Sequence, residues 1–330
     1  MKANRLLAGA AFALAALLGT VALGDSGAQA QGYPSRPITV IIPFAGGSAS
    51  DVVTRIMLDR MSKSMGQAIV VENRPGAGGN IGAAAATKAT PDGYTLVATG
   101  GGTLGVNRAL VKDFNYNPET ELVPISQIAV FPNLIIASTK LPVNSVKELI
   151  EYAKSKPGEL NYGSVGVGSS QHLAGVYFEQ VTGTKLTHVA YRNIANYTPD
   201  LIAGQVPLGF SWYPNVVAAL NANGARALAV AAKTRLAALP NVPTTAEAGL
   251  PDYVASGIFS MLAPAGTPRA IIDKINAEML AASKDPTVQA RFRDQGAEPT
   301  VTSPEELAKI IKEDNAKWIG IIQKAGMQPQ

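Results

Sequence analysis

The sequence predicts an α/β protein built as two doubly wound lobes joined by a hinge. Short β-branched runs alternate with helical segments along almost the whole chain, the order that builds sheets covered by helices. The turns from strand to helix are rich in glycine and small hydroxyls, as in "PFAGGSASD" (residues 43–51) and "YGSVGVGSSQHL" (162–173). At 330 residues, the chain is also longer than one hydrophobic core usually supports.

Residues 1–30 stand apart from this pattern. "MKANR" supplies Lys2 and Arg5, "LLAGAAFALAALLGTVALG" is an uncharged apolar run, and "AQA" offers small residues for cleavage. That order is the signature of a secretory signal peptide; as a retained anchor, the run is barely long enough to span a bilayer. Cleavage after Ala30 leaves 300 residues and removes two basic side chains and one acidic one, so the net charge falls from +4 to +3. The chain has no cysteine, which excludes both a lipid-modified cysteine and disulfides. The expected product is a soluble, exported, periplasmic protein held together by core burial. Its mild charge without a dense basic run excludes a nucleic-acid partner and suits small anions.

The folded part reads in order. "ITVIIPF" is a buried strand, "DVVTRIMLDRMSKSM" a helix, "AIVVEN" a strand, "AAAATKAT" a helix after the glycine-rich "RPGAGGNIG", and "TLVAT" a strand. This order predicts a parallel sheet with helices on both faces. The middle repeats the theme: strand "NLIIAS", helix "SVKELIEYAKSK" capped by Ser145, a strand ending in "NYGS", and helix "SSQHLAGVYFEQVTG" stopped by Gly183. Strand "LTHVAY", short helix "NYTPDLIAGQ", strand "VPLGFSW", helix "NVVAALNANG" and strand "ARALAVAA" follow. The strand "GIFSMLAP" and two helices, "RAIIDKINAEMLAASK" and "PEELAKIIKEDNAKWIGIIQKAG", complete the chain. The predicted division is residues 31–131 with 257–330 in lobe 1 and 132–256 in lobe 2. Two crossings, near 130–133 and 253–257, make a hinge beside a cleft, a natural place for a ligand.

Catalytic and metal chemistry have little to draw on. His172 and His188 are the only histidines, and neither has a partner at metal-ligand spacing. No G-x-S-x-G elbow and no Walker A loop occurs, and "GAGGNIG" has the wrong spacing for a dinucleotide fingerprint. The sequence therefore predicts no enzyme, no metal and no cofactor. Its glycine–serine loops point elsewhere. The first N–H groups of a helix have no internal partner and carry partial positive charge, so a glycine-rich approach leaves them open to an anion. Ser48 and Ser50 at one helix mouth and Ser169 and Ser170 at another add hydroxyl donors. Serine at an N-cap and glycine at a turn are also common for purely local reasons, so the case rests on two matched loops in one two-lobed chain. Asp51 suits a role in organising its loop, with ligand contact second, and His172 reads equally as a packed polar group or a ligand contact.

The segments "YPSRPITVIIPFAGGSASD", "VVENRPGAGGNIGA", "PDGYTL", "LNYGSVGVGSSQHLAG", "LPNVPTTAEAGLPDY" and "LAPAGTP", in that order, closely resemble the periplasmic substrate-binding receptors of tripartite tricarboxylate transporters, the Bug-type receptors. The resemblance runs from about Tyr33 into the C-terminal helices. It implies a Venus-flytrap fold of the periplasmic-binding-protein kind that captures a small carboxylate. It also implies partners, the large and small membrane subunits of the transporter. The competing reading is a sensor that passes its closed form to a membrane histidine kinase, and a monomer is expected. Carried onto matching positions, it implies ligand contacts from Phe44, Ala45, Gly47, Ser48, Ser50, Asp51, Asn80, Thr103, Asn107, Gly166, Gly168, Ser169, Ser170 and His172.

Departures from the family pattern bear on the substrate. The usual first loop, P-F-x-P-G-G-x-x-D, here has Gly46 for the second proline and Ser48 for a glycine, and Val167 stands where a polar residue is common. Relatives often carry Asp-Asn where this chain has Ser211 and Trp212. The acid that can meet a ligand ammonium is thus absent, while Trp212, Tyr213 and Tyr191 are expected to offer flat apolar surface, and Tyr191, Ser211 and Trp212 are expected among the ligand contacts. A dicarboxylate or aromatic carboxylate is favoured over an amino acid.

Overall fold

The computed structural model describes residues 32–112 and 114–329, so the signal-peptide reading lies outside the described residues. From the N-terminal side, β1 (Ile38–Ile42), α1 (Ala49–Met65), β2 (Ile69–Asn73), α2 (Asn80–Thr87), β3 (Thr95–Gly100), α3 (Pro118–Glu121) and β4 (Leu122–Pro132) form most of one lobe. The second contains β5 (Leu134–Ser138), α4 (Val146–Ser155), β6 (Asn161–Ser164), α5 (Ser170–Thr182), β7 (Thr187–Ala190), α6 (Tyr197–Ala203), β8 (Leu208–Ser211), α7 (Tyr213–Asn221) and β9 (Ala225–Val230). The chain then returns through β10 (Ser256–Pro264), α8 (Arg269–Ser283), α9 (Pro286–Asp294) and α10 (Pro304–Lys324).

Two five-stranded sheets result, ordered β2-β1-β3-β10-β4 and β7-β6-β8-β5-β9. This is the predicted fold class, with one correction: each sheet is mixed rather than parallel. β10 alone runs against its neighbours in the first sheet, and β5 alone in the second. The reason is topological. A chain that leaves one sheet at the end where its parallel strands finish enters the other from that same end, so it runs against the parallel strands there. β5 follows the outward crossing and β10 the return.

At the crossing, the Asn133 backbone N–H donates to the Ala255 carbonyl (2.9 Å), and the Asn133 carbonyl accepts from Ala231 N–H (2.8 Å), which ties the two connecting segments together. Three elements escaped the sequence reading: the one-turn α3, β4 and α9. The reading also assigned residues 257–330 wholly to lobe 1, whereas α10 reaches both lobes. Asn315 on α10 donates to the Leu104 carbonyl (2.9 Å) of the first lobe, and Trp318, Ile321 and Ile322 pack among Leu173, Phe178 and Tyr253 of the second.

Local chemistry sets the two helices that matter most. Ser48 caps α1 by accepting from Asp51 N–H, and Gly66 in the left-handed region ends it. Val53, Ile56, Met57 and Met61 recur at helical spacing and bury one face against the first sheet. Ser169 caps α5 through His172 N–H, and Gly183 ends it, with Leu173, Ala174, Val176 and Phe178 buried. At roughly 1.5–3 kcal/mol per fully buried large apolar side chain, these faces seat the helix mouths firmly. Among the described residues, no helix is long and apolar enough to cross a membrane.

Candidate ligand-binding cleft

The parallel strands of both sheets finish at one crevice, the place where open α/β sheets receive ligands. Its walls are the loops after β1, β2 and β3 on one side and after β6, β7 and β8 on the other. The lobes touch along its rim. A Cβ on Gly102 would lie 2.2 Å from the Gly168 carbonyl oxygen, and one on Gly78 would lie 2.3 Å from that of Val167. Only glycine permits backbones to approach so closely. Ala49 N–H, at the start of α1, donates to Asn215 Oδ1 across the cleft (2.9 Å).

Three helix mouths converge here: α1, α5 and α7. The N-cap hydroxyls are occupied in their own loops. Ser169 Oγ donates to the Gly166 carbonyl (2.7 Å) while capping α5, and Ser48 Oγ accepts from Asp51 N–H and pairs with Ser50 Oγ (3.1 Å). One or two positions further on, the groups are less committed. Ser170 Oγ has only a 3.5 Å contact with Gln171, and the backbone N–H groups of Ser50, Ser170 and Gln171 have no partner among the described residues. Trp212 lines the cleft and stacks on Phe131 of the other lobe (centroids 4.6 Å apart), yet its buried indole N–H is unpartnered by any described residue. The site therefore offers several convergent donors and, among the described residues, no lining carboxylate.

Comparison with known proteins agrees with this geometry. The family model of the tripartite tricarboxylate transporter family receptor matches residues 53–327. The chain belongs to this family. It is similar to BugT of Bordetella pertussis, 34% identical over 299 residues, with 90% of this chain and 92% of BugT covered. Among solved structures, R. palustris Rpa4515 with adipate superposes at a TM-score of 0.87 with 35% identity, covering 90% of this chain and all of that one. MatC from Rhodopseudomonas palustris with bound malate gives 0.82 and 32%, covering 88% of this chain and all of MatC. The protein is a solute-binding receptor of the family, not an enzyme.

The receptor brings together eight of the residues singled out from sequence: Phe44, Ala45, Ser48, Ser50, Thr103, Ser169, Ser170 and Trp212 all line the cleft. The others lie behind its walls, for definite reasons. Three glycines expected to offer N–H groups have spent them locally: Gly47 donates to Asp51 Oδ2 (2.9 Å), Gly166 to Ser164 Oγ (3.0 Å) and Gly168 to His172 Nδ1 (3.1 Å). Asp51 is buried and gathers Gly47, Arg55 and Asn73 around its carboxylate. Burial alone would raise that carboxyl, but the bonds from Arg55, Gly47 and Asn73 outweigh it and hold it below the usual carboxylate range. Asn80 and Asn107 are bonded to each other (2.7 Å) beneath the glycine rim. Tyr191 donates to Asp200 (2.6 Å) and packs with Tyr197, and Ser211 is buried at the end of β8. Tyr213 packs against the second-lobe core, so of the three expected aromatic residues only Trp212 lines the cleft.

His172 also turns away. It faces a separate hollow with His188, Tyr162, Glu179 and Lys324, its ring 4.2 Å from that of His188. Burial, with a smaller push from His188, lowers it to about 3, and burial lowers His188 to about 4. Both are neutral at ordinary pH, which leaves His172 Nδ1 free to accept from Gly168.

The sequence reading missed three kinds of lining. The glycine backbones at 76, 78, 79 and 100–102 form much of the first-lobe wall. Asn215 at the α7 mouth carries no glycine–serine signal. Arg192, in the loop after β7, had nothing in its local sequence to separate it from an ordinary surface arginine.

Proposed function

We propose that this receptor captures a small organic carboxylate between its lobes in the periplasm and delivers it to the large and small membrane subunits of a tripartite tricarboxylate-type transporter. The observation that carries the reading is the convergence of open N–H groups and hydroxyls from both lobes on one cleft. Such donors match a carboxylate without requiring a formal charge beside it. Each charge-assisted bond contributes about 1.5–3 kcal/mol net, and a handful reaches the ~8 kcal/mol of micromolar binding. Because the donors come from both lobes, the ligand also holds the lobes together. The adipate and malate bound to Rpa4515 and MatC support an acid as the solute class.

An amino acid is disfavoured, because no acid side chain among the described lining residues meets an ammonium group. A thermal-shift panel of aliphatic, aromatic and amino carboxylates tests the reading. Stabilisation is expected from acids without an amino group, and stabilisation by glutamate or aspartate alone would overturn the selectivity. Uptake of the stabilising acid by cells carrying the two membrane subunits, lost on deletion of the receptor, tests delivery.

A further inference from the structure

We infer that Arg192 engages a second anionic group of the ligand, so that the cleft selects acids charged at both ends over monoacids of the same length. The inference rests on the carboxylate reading and adds to it the residue that sets selectivity. Arg192 is the only charged side chain among the described residues lining the cleft. It lies one residue past the backbone bond from Tyr191 N–H to the Ser164 carbonyl (2.8 Å), so β7 carries it to the same sheet end from which the 165–169 loop departs. β7 is the outermost strand of its sheet, and Arg192 therefore approaches the cleft from the flank, on the side of Ile194.

Its guanidinium is uncommitted. Arg36, Arg55, Arg60, Arg74, Arg235 and Arg269 each pair with an acid, whereas Arg192 makes neither an ion pair nor a hydrogen bond among the described residues. Asp200, the acid nearest to it in sequence, receives the Tyr191 hydroxyl instead. The division of labour follows from chemistry. Helix-mouth amides and the Ser50 and Ser170 hydroxyls satisfy one carboxylate, but a dianion brings a second charge that these neutral donors leave unbalanced. A free planar guanidinium on the adjoining wall matches that second carboxylate with two parallel N–H bonds.

Isothermal titration of the wild type and Arg192→Gln tests this with matched pairs: succinate, glutarate and adipate against butyrate, valerate and hexanoate, and phthalate against benzoate. The wild type is expected to bind at least one diacid about tenfold to a hundredfold more tightly than its monoacid partner. Arg192→Gln should bring that ratio close to one by weakening the diacid, while the monoacid Kd stays within about twofold and so reports an intact cleft. A ratio that survives the substitution, or monoacids bound by the wild type as tightly as diacids, overturns the role of Arg192 alone. Failure of every pair to bind the wild type removes the carboxylate reading and this inference with it.

Discussion

In the first lobe the loop before α1 is anchored by a charged carboxylate, and in the second the loop before α5 is anchored by a neutral imidazole. Asp51 accepts from Gly47 N–H, Arg55 and Asn73; His172 accepts from Gly168 N–H through Nδ1. Both anchors therefore hold a glycine N–H four residues upstream, and each leaves the following helix mouth open. The plan is shared while the titration behaviour is not. A turn of this shape needs a buried acceptor at that position, and either an ionised acid with its own cation or a desolvated histidine supplies one.

The two loops act together only when the lobes meet, so the largest effect is expected at their contact. Gly102 has no positive φ, and alanine there carries no backbone strain. Its Cβ would nevertheless lie 2.2 Å from the Gly168 carbonyl oxygen in the closed arrangement. Gly102→Ala is expected to leave the unliganded protein as stable as the wild type while weakening ligand binding by about a hundredfold or more. Small-angle scattering should show no compaction on adding ligand. Normal affinity with normal compaction would mean that closure does not bring these two backbones together.

The anchors themselves separate by pH. The His172 imidazole is held at about 3, against 6.5 unperturbed, so below pH 6.5 the unfolded chain takes up a proton that the native protein refuses. Stability from this group is full above pH 6.5 and is lost progressively toward pH 3, at about 1.4 kcal/mol per pKa unit. Asp51, held below its ordinary value of 3.8, loses its contribution only as pH falls below the usual carboxylate range. His172→Asn keeps an acceptor for Gly168 and removes the titration. Denaturant unfolding at pH 7, 5.5 and 4.5 should therefore show a flatter decline for His172→Asn than for the wild type, by roughly 2 kcal/mol at the lowest pH. Asp51→Asn should leave that decline unchanged while lowering stability at every one of these pH values by about 1–3 kcal/mol. Glu179, His188 and Lys324 face the same hollow as His172 and remain in both variants, so the contrast isolates the two anchors.

How much of this was legible follows from where each signal resides. Alternating strands and helices, and the two glycine–serine loops, are local patterns, and the sequence shows them. β4 was hidden because its residues lack a clean β pattern: Pro124 interrupts it, Ser126 and Gln127 are polar, and its pairing with β10 shifts register twice. As an edge strand it tolerates that proline. α9 was hidden because its nine residues bury only Val288 and Phe292. The site divides along the same line. Ser48, Ser50, Ser169 and Ser170 declare a helix mouth by composition, but whether a glycine N–H is open or spent depends on a side chain folded back onto it. The N–H groups of Gly47, Gly166 and Gly168 are bonded within their own loops for that reason, which composition does not reveal. Arg192 and Asn215 face the cleft because β7 and β8 end there, which is a property of the sheet and not of their neighbours in sequence.

The smallest expected effect comes from a direct bond between the two helix-bearing walls, Ala49 N–H to Asn215 Oδ1. In an open receptor, both groups face water, so closing exchanges two solvent bonds for one internal bond and the net gain is modest, about 1 kcal/mol. Asn215→Ala should thus weaken ligand binding only about fivefold and leave the melting temperature of the unliganded protein unchanged. The size of the loss discriminates between roles. No loss would mean that closure draws nothing from this bond. A loss well beyond tenfold would exceed what one neutral hydrogen bond supplies, and would show that the Asn215 amide also donates to the bound acid from the mouth of α7.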